Sequence, residues 1–258
     1  MTWLQRRRFG VATFVLPLGV LACGALAVFA DGFRAFGIVF AAIYAFIGVT
    51  VYWGVVARRA LERVARRDDR EADALADRLV AHPVMAAGFL RTARLIKARV
   101  AVREQRWPDA IEQYRAIRYQ HGPRSRRSSV LNRITEIALY EEIVALCSVD
   151  RRDDAKEFLA RAPRSTGDFL ELLYDTARLA VAFTLDDASV VPATDVEKML
   201  RYKSYATGWG VLALVAWHAR KTGDEALARK AIDAERSKPH GDFERRMPAV
   251  ASWLDQAG

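Results

Sequence analysis

The sequence predicts an all-α protein: a two-helix transmembrane hairpin followed by an α-solenoid-like helical domain. Three observations predict it. Two apolar runs, 10–30 and 35–56, contain no charged residue. The rest of the chain repeats apolar positions at three- and four-residue spacing, and strand signals are nearly absent. The expected organisation is a basic cytoplasmic tail (1–9), the hairpin (10–56), a charged juxtamembrane helix (57–82) and a cytoplasmic helical-hairpin domain (83–258).

Each run is long enough to cross a bilayer, since 21 residues at 1.5 Å rise reach roughly 31 Å against a hydrocarbon core of about 30 Å. The connector Asp31-Gly32-Phe33-Arg34 is too short for anything but an antiparallel return, because backbone groups at membrane depth must be bonded within helices. Small residues recur four apart on both runs: Gly19, Cys23 and Ala27 on the first, Gly37, Ala41 and Ala45 on the second. Counted from the connector they pair Ala27 with Gly37, Cys23 with Ala41 and Gly19 with Ala45, which suits close helix packing. Tyr52 and Trp53 suit an interfacial position.

Arginines set the expected orientation. Arg6, Arg7 and Arg8 precede the first run, and Arg58, Arg59, Arg63, Arg66, Arg67 and Arg70 follow the second, whereas the connector has Arg34 alone. The positive-inside rule then predicts a multi-pass protein of the inner (cytoplasmic) membrane with both termini in the cytoplasm. Arg6-Arg7-Arg8-Phe9 also resembles a twin-arginine export signal, but the apolar run exceeds a signal-peptide core and a second run follows it.

The net charge of +9 is unevenly placed. Residues 1–133 carry 23 Lys/Arg against 10 Asp/Glu, and residues 134–258 carry 17 against 21. Arg115, Arg118, Arg124, Arg126, Arg127 and Arg133 follow one another with no acid between them, a candidate surface for anionic lipid or an acidic partner. Nucleic acid is not expected, because no aromatic-interleaved binding motif accompanies the charge.

Beyond the membrane runs, Met85, Phe89, Ala93, Ile96 and Val100 share one helix face, and Ala110, Ile111, Tyr114 and Ile117 share the next. The turn between them is Gln105-Arg106-Trp107-Pro108-Asp109. An amphipathic helix is predicted over 130–147 and a nearly all-apolar one over 169–185, interrupted by Glu171, Asp175 and Arg178. Thr194-Asp195-Val196-Glu197 is a capping-box start. Residues 205–218 form an apolar stretch too short to span, and 243–254 supply a closing helix.

Ala98, with Ala110 twelve residues on, Trp107 at the turn, then Tyr114 and Ile117, resembles a tetratricopeptide repeat. Weaker echoes run from Ile143 to Ala155 and from Ala216 to Ala228. The spacing departs from that family: Ala110 to Ala155 is 45 residues and Ala155 to Ala228 is 73, where a tandem array has a period of about 34. The resemblance covers about a third of the chain and implies stacked helix pairs with a concave, peptide-binding surface.

No Gly-rich phosphate loop, nucleophile elbow or paired-carboxylate motif occurs, and no cofactor is expected. His82, His121, His218 and His240 lack partners at ligand spacing, so no metal is expected. Cys23 and Cys147 fall in different compartments and read as packing residues. The functional expectation is therefore a membrane-anchored, non-enzymatic scaffold that gathers a protein or peptide partner at the cytoplasmic face. The alternatives are a membrane-surface regulatory module using the basic half, and an enzyme with no recognisable motif.

Overall fold

The computed structural model describes Gly19 and residues 34–84, 86, 88–119, 129–164, 167–204, 210–237 and 243–257. Among these residues the regular elements are helices, and they fall into two compact units, Met1–Ala93 and Arg94–Gly258.

In the first unit, α1 (Arg34–Ala65) continues without a break from the second apolar run into the arginine-rich flank. It contains no proline, and its branched and aromatic side chains find no competing turn signal before Arg66. There the chain reverses through Arg67, which adopts a left-handed φ of 61°. α2 (Asp69–Ala81) starts from Asp68, whose carboxylate accepts the Glu71 N–H at 3.3 Å. The charged segment 57–82 is therefore shared between two helices that pack on one another. α1 buries Val56, Ala57, Ala60 and Val64, and α2 buries Ala72, Ala76 and Leu79.

The two-helix transmembrane hairpin needs correction. Among the described residues one helix, Gly37–Ala65, is long and apolar enough to cross a membrane, with an 18-residue window of mean hydropathy 2.0. Apart from Gly19, the first apolar run (10–30) lies outside the described residues. Membrane attachment through two spans and a multi-pass localisation are replaced by a single candidate span.

The second unit takes up α3 (Leu90–Arg103) from Arg94 onward, then α4 (Trp107–Tyr119), α5 (Ser129–Ser148), α6 (Arg152–Arg161) and α7 (Asp168–Leu185). Short 3-10 turns, Ala188–Val190 and Leu200–Ser204, flank α8 (Ala193–Met199). α9 (Val211–Lys221), α10 (Glu225–Arg236), α11 (Phe243–Arg246) and α12 (Pro248–Gln256) complete it. Neighbours in sequence pack pairwise, α4 on α5, α5 on α6 and α7, α9 on α10, while α7 and α9 join the pairs. This is a weakly repetitive arrangement of helical hairpins.

One turn recurs through it. In α3/α4, α5/α6 and α9/α10 a left-handed residue (Gln105, Asp150, Gly223) ends one helix, and the next helix begins two positions later. The bonding is the same each time: Arg106 N–H to Ala101 O, Arg151 N–H to Leu146 O and Asp224 N–H to Ala219 O, at 2.8–2.9 Å. That six-to-one bond is the Schellman closure, which satisfies carbonyls the helix end would otherwise leave bare. Arg67 and Asp68 repeat the form in the first unit, with Asp68 N–H on Arg63 O at 3.0 Å. The alanines at the repeat-like positions, Ala98, Ala110, Ala155, Ala216 and Ala228, are all fully buried.

The core of this unit is closed at α9. Gly210, at φ +72°, lies under the rings and chains of Phe243 and Met247, so α11 covers the start of α9. At the far end Arg220 and Arg236 donate to the Ala257 and Leu254 carbonyls, where a helix C-terminus favours positive charge.

Candidate functional site

α1 presents bare apolar side chains. Ile38, Val39, Phe40, Ile43, Phe46 and Ile47 are exposed, Phe46 to 72%. A contiguous surface of this kind is costly in water and stable against lipid or a partner helix. Thr50 spends its hydroxyl on the Phe46 carbonyl at 2.9 Å, so its polarity is met within the helix. Of the predicted small-residue positions, Gly37 is buried, Ala41 half-buried and Ala45 exposed. A Cβ on Gly19 would fall 2.9 Å from the Tyr44 ring, one position from the expected Ala45. Cys23 and Ala27 lie outside the described residues.

In the second unit the polar centre is Glu141-Glu142, on α5. Successive residues on a helix point about 100° apart, so the two carboxylates address different neighbours. Glu141 takes Arg99 of α3, Nη2 to Oε1 at 2.8 Å and Nε to Oε2 at 3.2 Å, and accepts the Tyr114 hydroxyl at 3.0 Å. Arg246 Nη2 stands 4.0 Å from the same carboxylate. Glu142, with no exposed side-chain surface, meets Arg115 Nε at 3.1 Å and Arg118 Nε at 2.8 Å. Arg118 also lies over the Phe158 ring, 4.5 Å from its centroid.

Burial alone would raise the Glu141 carboxyl, but Arg99 and Arg246 together with the bonds from Arg99 and Tyr114 hold it below its ordinary value. For Glu142 burial prevails over Arg118 and Arg115 and raises it. The Tyr114 hydroxyl is pushed well up by burial and by Glu141 beside it, so it stays a donor.

A second polar knot joins α7 to the turn after α8. The Tyr202 hydroxyl donates to Asp175 Oδ2 at 2.7 Å, and Arg178 reaches Asp195 at 3.3 Å. Burial raises Asp175, against Tyr202 and Arg178. His218, buried on α9, offers Nε2 to the Ala188 and Val191 carbonyls at 2.9 and 2.8 Å, which ties the 3-10 turn to the core.

A cavity of about 430 Å³ opens between the ends of α5 and α7 and the start of α12, with Cys147, Phe183, Thr184 and Met247 among its walls. The Cys147 thiol is pushed up by burial to about 12, which keeps it in the inert thiol form. Among the described residues no three His, Cys, Asp or Glu side chains come together as a metal site would require.

Of the arginines predicted to face an anionic surface, Arg115 and Arg118 are turned onto Glu142, Arg133 is exposed, and Arg124, Arg126 and Arg127 lie outside the described residues. Sequence reasoning missed Glu141 and Glu142. The available signal was two adjacent acids inside an otherwise apolar stretch, Ile137 to Leu146. Family models, curated proteins and solved structures were compared with the chain, and none of the three matches it.

Proposed function

We propose that the chain is a membrane-anchored, non-enzymatic scaffold. α1 holds it in the bilayer, and the helix pairs of the second unit offer a tetratricopeptide-like surface to a protein or peptide partner. The arginine-rich flank of α1 supports a cytoplasmic face for that surface by the positive-inside rule. The observation that carries the reading is the thrice-repeated closure of α3/α4, α5/α6 and α9/α10, with fully buried alanines on the helices it joins. Stacked pairs of this type form extended binding surfaces in helical repeat proteins.

The rival reading, a basic module on anionic lipid, draws less support because Glu142 already engages Arg115 and Arg118. Photo-crosslinkers placed at exposed Glu112, Glu197 and Arg229 of the full chain in native membranes test the proposal. A discrete protein adduct, identified by mass spectrometry and reproduced from neighbouring positions, is the expected result. Lipid adducts alone, with salt-sensitive vesicle binding lost on charge reversal at Arg124, Arg126 and Arg127, would favour the rival.

A further inference from the structure

We propose that the turn joining α2 to α3, at His82, Val84 and Phe89, rests on the phospholipid interface beside Tyr52 and Trp53, giving the chain a second lipid contact next to its span. This rests on the reading of α1 as the membrane anchor. Beyond Trp53, α1 runs twelve residues to Ala65, about 18 Å, and α2 returns over thirteen, about 20 Å. The reversal at Arg67 therefore brings the end of α2 back to the depth of Trp53. The His82 ring lies 5.4 Å from that of Trp53, and the Phe89 ring stands 3.4 Å from where a Cβ on Gly54 would be. Trp53 itself meets Tyr52, whose ring is exposed, at 5.0 Å.

Composition points the same way. Residues 58–78 carry thirteen Asp, Glu, Lys or Arg, yet none lies between Arg78 and Arg91. Within that uncharged stretch Val84 is 89% exposed, which leaves its side chain open to an apolar layer. Part of the backbone's hydrogen-bonding need is already met within the turn. Ala86 N–H bonds the His82 carbonyl at 2.9 Å, Phe89 N–H bonds the Ala86 carbonyl at 2.8 Å, and Pro83 has no N–H to satisfy. Aromatic rings and a histidine at one level, with charged residues of both signs beyond, match the headgroup region better than the chain interior.

The full chain, with both native cysteines replaced by alanine, is reconstituted in phosphatidylcholine and phosphatidylglycerol vesicles carrying nitroxide lipids. An environment-sensitive fluorophore is attached in turn at Val84→Cys, Phe46→Cys and Ala65→Cys. The Val84 label is expected to be quenched about twofold more than the Ala65 label, best by nitroxides near the headgroup, while the Phe46 label responds best to nitroxides near the chain ends. A deep Phe46 label with a Val84 label no better quenched than Ala65 overturns the turn contact and leaves the span standing. A shielded but unquenched Val84 label would mean a protein covers the turn, which also overturns the proposal. A Phe46 label blind to deep nitroxides overturns the span and the turn together.

Discussion

Arg99 and Glu141 lie side by side, two parallel N–H to oxygen bonds of 2.8 and 3.2 Å joining α3 to α5 across 42 positions of sequence. Forked pairing of this kind is the strongest that arginine makes, and the carboxylate end is 2% exposed. Truncating Arg99 to alanine strands a buried charge and is expected to cost about 3 kcal/mol, whereas Arg99→Met with Glu141→Leu together should recover most of it. Urea unfolding of the detergent-solubilised chain, arranged as a double-mutant cycle, measures both. A single Arg99→Ala loss under about 1 kcal/mol would show the pair to be peripheral.

The adjacent glutamates are expected to respond to pH in opposite senses. Glu141 has a native value below 4.5, so the stability it contributes is complete above its unfolded value and is lost as pH falls through the lowered native one. Glu142 has a native value above 4.5, so stability declines as pH rises from 4.5 through that raised value. Glu141→Gln should flatten the acid limb of a stability profile taken from about pH 3 to pH 7, and Glu142→Gln the limb above it. Matching profiles for the two variants would contradict the assignment.

Two glycines with similar backbone angles are expected to tolerate alanine very differently. At Gly223 nothing stands near a new Cβ, so the left-handed φ of +82° alone acts and costs about 1 kcal/mol. At Gly210 the methyl would also run into Phe243 and lie 2.6 Å from Met247 Cε, raising the cost to about 3 kcal/mol. Thermal unfolding of the two variants compares them directly. Equal losses would mean that α11 does not pack over Gly210.

The opposite substitution should help where the recurring turn uses a residue with a Cβ. Gln105→Gly and Asp150→Gly each relieve a left-handed strain, at φ 60° and 59°, and are expected to raise stability by about 0.5 kcal/mol. The urea midpoint reports the gain. A loss at both sites would mean that their side chains contribute more than their backbone angles cost.

Much of the helical architecture was legible because alanine and aromatic spacing reports which helix faces meet. Ala98, Ala110, Tyr114 and Ile117 are buried as the resemblance to a helical repeat implies. The turn at Gln105 was legible but its form was not, since Arg67, Gln105 and Asp150 reach a left-handed conformation without the glycine that would announce it. The polar centre was harder still. An acid pair on a helix ordinarily reads as a solvated face, and only tertiary neighbours decide otherwise: the Glu141 and Glu142 partners come from Arg99, Tyr114, Arg115, Arg118 and Arg246, none within twenty residues. Arg115 and Arg118, read from sequence as surface contacts, are likewise paired with Glu142.

The adjacency of Glu141 and Glu142 has a consequence for alignment. Alanine-lined faces are smooth, and helices meeting through Ala98, Ala110 and Ala155 could slide past one another with little change in buried area. A one-residue slip of α5 would hand the Arg99 fork the wrong carboxylate and leave the other facing hydrocarbon. The paired acids act as a two-pronged key that fixes the register of the stack.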